Sequence, residues 1–384
     1  MPQPFPETHP AEWKPGLIGK PGHRHEGDLM PRISLKSRIA GTLAVAAVAL
    51  GTLGVGAAHA ATTPGIAYDG IQNVLAVQTP NHSLKIYYQA GGVWQNQTIA
   101  GPGTTYSAPS VTRHGISVAI AAEGPHHTLR YYVQAGPLWH EQTVAGASST
   151  FSAPSIAQYG GGEVIAAEGP LSTLRYYYQA GATWHGQTVA GVLSTFSAPS
   201  VTQFGAQVAV AAEGLNRSLR VYTRVGNTGS WSAQSAAGGG TTFSAPSITA
   251  SGGVLFATAQ GPGGSLKYYQ RGAVPLWHKL TIAAGGTTSA PSIAVNTSAL
   301  PNRIYIAVQG TSHRLLAFRA NITNLAFTQQ VVAFINSTYS APSVVAPGDN
   351  LIAAAGPGNS LWLWRQNGIN PWLGLQVAPA GSVG

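Results

Sequence analysis

Apolar and polar residues alternate over short stretches along most of this chain, and turn residues separate the stretches. The third of several similar modules shows the plan in four runs: Pro154 to Gln158, Val164 to Glu168, Leu174 to Gln179, and Trp184 to Ala190. Short runs with a period of two, bounded by Gly and Pro, are typical of β-strands. The pattern predicts four short strands joined as one antiparallel meander.

The meander recurs along the chain. Ser-Ala-Pro-Ser opens six copies, at Ser107, Ser152, Ser197, Ser244, Ser289 and Ser340, and a weaker version, Thr62-Thr63-Pro64-Gly65, opens the first. The seven prolines are spaced by 45, 45, 45, 47, 45 and 51 residues. One meander cannot bury both of its faces, so the copies must stack. We predict an all-β fold, a seven-bladed β-propeller of four-stranded antiparallel blades.

Charges match between the second and third predicted strands. The last residue of strand two and the second residue of strand three pair as Glu123/Arg130, Glu168/Arg175 and Glu213/Arg220, with Gln78/Lys85 and Gln260/Lys267 in two other modules. Cross-strand neighbours on a hairpin show such matching. We therefore expect these side chains to face each other, which argues against a catalytic role for the carboxylates.

The first sixty residues differ from the repeats. Arg32, Lys36 and Arg38 precede the apolar run 39–50, and Ala58-His59-Ala60 supplies the small residues of a cleavage site. We interpret residues 30–60 as a signal peptide cleaved after Ala60, which predicts a secreted, extracellular protein without stable membrane insertion. Residues 1–29 form an N-terminal extension compatible with a misassigned start, and the propeller spans residues 61–384.

Composition narrows the function classes. Charged residues make up only 8% of the chain, 48 residues are Gly, and none is Cys, so the core must hold without disulfides. After Ala60 there are 14 Lys and Arg against 7 Asp and Glu, but they are spread over the modules. Dispersed cations do not form the basic patch that nucleic-acid binding requires, so we predict no nucleic-acid partner.

Residues for catalysis or metal binding are scarce. No module presents two free carboxylates, so we predict a protein that is not an enzyme, with no catalytic residues. His140, His185 and His278 occupy equivalent places in different modules, too far apart to share a zinc ion, and we expect neither metal nor cofactor.

The third strand carries the richer pattern. Its second and fourth residues share one face and combine a cation with an aromatic ring, as in Arg130/Tyr132, Arg175/Tyr177 and Arg220/Tyr222. A cation and a ring side by side suit a sugar, through hydrogen bonds to hydroxyls and stacking on its apolar face. The alternative is structural: such tyrosines also fill the space between blades. The fourth-strand tryptophans of six modules are most simply core anchors, namely Trp94, Trp139, Trp184, Trp231, Trp277 and Trp372.

The module SAPSIAQYGGGEVIAAEGPLSTLRYYYQAGATWHGQTVAG resembles the repeat of the PLL-like bacterial seven-bladed propeller lectins and, more loosely, tectonin and tachylectin propellers. The resemblance implies shallow pockets between blades that bind monosaccharides such as fucose. It adds the pairs Trp139/His140 and Trp184/His185 to the candidate residues. Where the family commonly has a second Trp in the closing strand, this chain has Gln142, Gln187 or Thr188.

These observations predict a secreted, lectin-like protein with several shallow sugar sites between blades and glycan partners of the fucose or galactose type. The alternative is a cell-envelope scaffold for protein–protein interaction, and a degenerate hydrolase is a third, weaker hypothesis. The sequence leaves the oligomeric state open.

Overall fold

A computed structural model describes residues 62–136 and 138–384 of the chain. The N-terminal extension, the signal peptide and its cleavage after Ala60 lie outside the described residues. Among the residues that the structure describes, no helix has the length and apolar character needed to cross a membrane.

The described chain forms seven four-stranded antiparallel sheets, which confirms the seven-bladed propeller. Each sheet is one blade and takes its strands in chain order. The strands of blades 1 to 4 are β1 (Gly65–Tyr68), β2 (Asn73–Gln78), β3 (Leu84–Ala90), β4 (Val93–Ala100), β5 (Ser110–His114), β6 (Ser117–Glu123), β7 (Leu129–Ala135), β8 (Leu138–Ala145), β9 (Ser155–Tyr159), β10 (Gly162–Gly169), β11 (Thr173–Ala180), β12 (Thr183–Ala190), β13 (Ser200–Phe204), β14 (Gln207–Gly214), β15 (Ser218–Val225) and β16 (Ser232–Ala237).

The strands of blades 5 to 7 are β17 (Ser247–Ser251), β18 (Val254–Gln260), β19 (Leu266–Arg271), β20 (His278–Ala283), β21 (Ser292–Asn296), β22 (Arg303–Gly310), β23 (Arg314–Asn321), β24 (Thr328–Ala333), β25 (Ser343–Val345), β26 (Asn350–Ala355), β27 (Leu361–Gln366) and β28 (Leu373–Ala378). In six blades a short 3₁₀ turn links the second strand to the third: Pro125–His127, Pro170–Ser172, Leu215–Arg217, Pro262–Gly264, Thr311–His313 and Pro357–Asn359.

The expected pairing of strand-two acids with strand-three cations is wrong. Ala122, not Glu123, lies opposite Arg130, and Glu123 lies opposite Leu129. A one-residue offset in register moves a side chain to the other face of a sheet. Glu123 therefore points away from Arg130 and pairs with His127 of its own 3₁₀ turn, with 2.6 Å between Glu123 Oε1 and His127 Nδ1.

Apolar side chains fill the interface between each pair of neighbouring blades, here called a seam, so that seam 2/3 joins blades 2 and 3. In seam 2/3 small residues such as Ala121 and Ala167 occupy the inner strands, and Tyr131 and Tyr177 lie farther out. Small residues near the axis and rings farther out match the widening of the space between blades. The core of this protein is therefore a set of seams rather than one central cluster.

The second serine of the repeated Ser-Ala-Pro-Ser has a structural role. Its hydroxyl accepts a hydrogen bond from the first strand of the next blade: Ser110 Oγ from Ile156 N at 3.2 Å, and Ser155 Oγ from Val201 N at 3.0 Å. The motif also lines an axial channel of about 290 Å³. Inter-blade hydrogen bonds explain why this motif repeats without any appeal to ligand binding.

The start of the propeller meets its C-terminal residues where the ring closes. Thr62 N donates to Gly384 O at 2.5 Å, and Gly384 N donates to Gln78 O at 2.8 Å. Because every blade is built from one continuous stretch of chain, backbone contacts of the C-terminal residues close the ring at seam 7/1.

Candidate inter-blade binding sites

The third strand of each blade places its side chains in two different seams. In blade 2, Tyr132 packs against blade 1, whereas Tyr131 packs against blade 3. Alternation along the strand therefore puts the predicted cation and tyrosine of each blade into the seam with the preceding blade. Arg130/Tyr132, Arg175/Tyr177 and Arg220/Tyr222 accordingly belong to seams 1/2, 2/3 and 3/4.

The tyrosines of these pairs are buried. Tyr132 is 1% exposed, Tyr177 is 3% exposed and Tyr222 is 6% exposed. Burial raises the pKa of the Tyr132 phenol well above its ordinary value, with a smaller contribution from Glu141. The rings therefore form the floor of each seam, and the groups left for a ligand are the cation above them and its hydroxyl partner.

The cations lie partly exposed above this floor. Arg130 Nη1 donates to Thr143 Oγ1 at 2.8 Å and to Glu141 Oε1 at 2.7 Å, whereas Arg175 Nη1 donates to Thr188 Oγ1 at 2.5 Å. Seam 4/5 repeats the arrangement with Lys267. Arg130 is thus neutralised by an acid, while the structure gives no carboxylate partner to Arg175 among the described residues. Arg175 remains available to hydrogen-bond a ligand.

In blades 2 to 5 a glycine next to the cation makes this arrangement possible. A Cβ built on Gly169 would lie 2.5 Å from Arg175 Cγ, and one on Gly124 would lie 2.7 Å from Arg130 Cγ. The aliphatic part of the cation's side chain therefore packs directly against the glycine backbone at the start of the 3₁₀ turn. The sequence shows this Gly after the second strand, but not which side chain requires it.

The predicted Trp-His pairs do not form one pocket. Trp184 faces seam 2/3, where its ring lies edge-on to Tyr131 with centroids 5.0 Å apart. His185, the next residue, stacks on Tyr178 at 5.2 Å, on the other face of blade 3. Consecutive residues of a strand point to opposite faces, so Trp139 and the exposed His140 are separated in the same way.

Four of these Trp side chains are hydrogen-bonded to the preceding blade, as expected for core anchors. Trp184 Nε1 donates to Gln142 Oε1 at 3.0 Å, and Trp139 Nε1 donates to Gln97 Oε1 at 3.2 Å. The same bond joins Trp277 to Gln234 and Trp372 to Gln330. Of the closing-strand residues that depart from the lectin repeat, Gln142 therefore serves as the acceptor for a Trp side chain, whereas Gln187 accepts from Arg224.

Seam 7/1 opens the clearest pocket of the cation-and-tyrosine kind. It has a volume of about 380 Å³ and is lined by Lys85, Tyr87, Thr98 and Asn81 of blade 1, with Ser382 from the C-terminal segment. Burial raises the pKa of the Tyr87 phenol, which Ser382 contacts. The sequence placed Lys85 and Tyr87 in the repeated pattern, but no sequence signal showed that the junction of the first and seventh blades leaves an open pocket there.

Comparison with known proteins finds the propeller fold of this chain in solved structures. No family model matches the chain, and no curated protein matches it closely enough to count as a relative. The BP39L lectin from Burkholderia pseudomallei superposes with a TM-score of 0.74 at 17% identity, over 83% of this chain and 99% of its own. The likeness is one of fold.

Two more distant lectins share the propeller architecture. A fungal lectin of Aleuria aurantia, described as a six-bladed β-propeller with a novel fucose recognition mode, gives a TM-score of 0.51 at 16% identity, over 84% of this chain and 97% of its own. SapL1 lectin in complex with α-methyl fucoside gives 0.52 at 11% identity, over 70% and 95%. All three are lectins by name, and at these identities their likeness to this chain is one of fold.

Proposed function

We propose that this protein is a secreted, PLL-like lectin that binds glycans, of the fucose or galactose type, at several shallow sites between its blades and without chemical conversion. The observation that carries the proposal is the repeated cation held over a buried tyrosine at the mouth of a seam. Guanidinium and ammonium donors beside a threonine hydroxyl match the hydroxyl pairs of a sugar. The lectins with the same fold support this proposal.

The seams should not contribute equally. Lys85 in the open pocket of seam 7/1 and Arg175 in seam 2/3 are the strongest candidates, since Arg130 is already paired with Glu141. Blade 6 has Leu316 in place of the cation, so seam 5/6 lacks this donor. Multivalent binding would then rest on at most five seams rather than seven, those with Lys85, Arg130, Arg175, Arg220 and Lys267.

A glycan array probed with the purified protein, with free fucose and galactose as competitors, tests the proposal. We expect competable binding, weakened by Lys85→Ala and by Arg175→Ala. Arg314→Ala is the matched control, because it removes an exposed cation from the third strand of blade 6. A blank array with folded protein, or equal loss in the control, would count against the proposal.

The interaction-scaffold alternative has one observation in its favour. Four large apolar residues are more than half exposed in the turns and loops of blades 3 and 4, at the end where the second strand turns into the third: Leu171, Val192, Leu193 and Leu215. Exposed apolar residues close together are a feature of protein interaction surfaces. Recovery of one defined protein partner from secreted material, lost in Leu193→Ser, would favour the scaffold over the lectin.

A further inference from the structure

Seam 1/2 differs from the next three seams at one position. The residue just before the glycine of the turn between a blade's first and second strands is His114 in blade 2, Tyr159 in blade 3 and Phe204 in blade 4, and it is Asp69 in blade 1. Each ring enters the seam with the following blade: Tyr159 Oη, for example, donates to Ala206 O of blade 4 at 2.7 Å. Blade 1 therefore places a short carboxylate where its neighbours place a ring.

The shorter side chain leaves space. A pocket of about 420 Å³ opens between blades 1 and 2 at the turns that join the first and second strand of each blade, and an inner pocket of about 100 Å³ adjoins it. Both are lined by Asp69, Gln72 and Gln134. This site lies at the opposite end of the blades from the cation-and-tyrosine pockets, which border the turns between the second and third strands of the blades.

The polar groups of the pocket are already oriented. Asp69 is 5% exposed, and its Oδ1 accepts hydrogen bonds from Ile71 N and Gln72 N, both at 2.7 Å. These two bonds fix the carboxylate and leave Oδ2 as an acceptor. Ser117 Oγ donates to Gln134 Oε1 at 3.1 Å, which leaves the Gln134 amide NH₂ as a donor.

The inner wall combines an amide with apolar surface. Gln97 Oε1 accepts from Trp139 Nε1, so its NH₂ group is also free to donate. Val74, Ile86 and Val118 line the inner pocket beside it. The site thus offers a fixed carboxylate acceptor, two amide donors and an apolar wall.

This set of groups selects a hydroxyl-rich, uncharged ring. A carboxylate disfavours anionic ligands, and among the described residues no three His, Cys, Asp or Glu side chains come together to hold a metal ion. A pyranose offers hydroxyls that donate to Oδ2, oxygens that accept from amides, and an apolar face. We infer that the Asp69 pocket of seam 1/2 is a single-copy monosaccharide site, separate from the repeated sites. The inference rests on the proposed glycan binding.

Titration calorimetry of the full chain with free fucose and with free galactose tests it. Asp69→Phe places in blade 1 the ring that blade 4 carries, and Asp69→Asn keeps the turn acceptor while removing the charge. We expect Asp69→Phe to lower the number of sugars bound per chain by one, and Asp69→Asn to weaken one site about tenfold. Asp349→Asn is the matched control, because that acid already pairs with Arg365 in seam 7/1.

The outcomes separate the two proposals. If the wild-type chain binds neither sugar, the proposed function and this inference both fall. If it binds sugar and both Asp69 variants bind as the wild type does, the inference alone is wrong. Circular dichroism and the melting temperature check the fold of each variant, and Asp69→Asn decides if Asp69→Phe does not fold.

Discussion

Seams 2/3 and 3/4 join blades of similar sequence, yet one buries an acid and the other buries a base. In seam 2/3 Glu163 is 2% exposed, and its carboxylate contacts His114 Nδ1 at 2.6 Å and accepts from Tyr131 Oη at 3.2 Å. In seam 3/4 Arg224 is also 2% exposed, and its guanidinium lies 4.6 Å from the ring centroid of Tyr176 and 4.7 Å from that of Trp231.

The comparison shows that the repeat determines the backbone but not the chemistry of a seam. Glu163 faces blade 2, whereas Arg224 projects from blade 4 toward blade 3, so the sheet of blade 3 separates the two charges. Each charge is stabilised within its own seam, the acid by hydrogen bonds and the base by aromatic rings and Gln187. Single residues can therefore change what one seam holds while the blades stay alike.

Removing Arg224 should have the largest effect. Arg224→Ala leaves a cavity among the rings of Tyr176, Tyr178 and Trp231. We expect a loss of about 3 kcal/mol in the free energy of unfolding, measured by urea denaturation. Two of its nitrogens, Nε and Nη2, are buried without a partner among the described residues. Arg224→Met, which keeps the length but not the charge, should therefore recover most of the loss. A variant as unstable as Arg224→Ala would show that the charge itself is required.

Removing Glu163, the acid of seam 2/3, should lower the free energy of unfolding by less than removing Arg224 does. Glu163→Leu leaves His114 and the Tyr131 hydroxyl without their acceptor, for an expected loss of about 2 kcal/mol in urea denaturation. Seam 4/5 shows an apolar version of the same contact, with Phe204 and Leu255 at these two positions. The double variant Glu163→Leu with His114→Phe should regain at least half of the loss. No recovery would mean that the acid has a role beyond this pair.

Much of the fold follows from the sequence because it depends on periodicity. The four runs of the third module appear as β9 to β12 with ends shifted by one or two residues, and the Ser-Ala-Pro-Ser spacing gives the blade count. The predicted pairing of Glu123 with Arg130 was wrong because the register of the two strands depends on the geometry of the 3₁₀ turn between them, which a seven-residue spacing does not determine. Local pattern was sufficient for strands, and not for contacts across turns.

The candidate sites were less accessible to sequence reasoning. The period of two that places Arg175 and Tyr177 on one face also places Trp184 and His185 on opposite faces. The separation of Trp184 from His185 could therefore have been predicted from the sequence. The burial of Tyr177 was not, since it depends on the side chains of the neighbouring blade. The pocket at Asp69 had a visible signal, an acid where three other modules have a ring before the turn glycine.

The same Trp→Phe substitution, made once in seam 2/3 and once in seam 3/4, should change the free energy of unfolding by a smaller amount. Trp184→Phe removes the hydrogen bond to Gln142, whereas Trp231 Nε1 has no partner among the described residues, because Arg224 occupies Gln187. We expect Trp184→Phe to lower the free energy of unfolding by about 1 kcal/mol more than Trp231→Phe. Equal losses in urea denaturation would mean that the hydrogen bond adds nothing to ring packing.

The smallest expected effect concerns the pH dependence of seam 3/4. Burial raises the pKa of Glu168, with a further rise from Glu213 that opposes the lowering by Ser172. An acid with a raised folded-state pKa gives stability that is present below its unfolded pKa and lost as pH rises through the folded value. Glu168→Gln, which copies Gln260 of blade 5, should remove that loss and flatten the melting temperature above about pH 4.5. Glu141→Gln, an exposed acid of blade 2, is the control, and an equal flattening there would assign the pH dependence to general charge rather than to the buried end of seam 3/4.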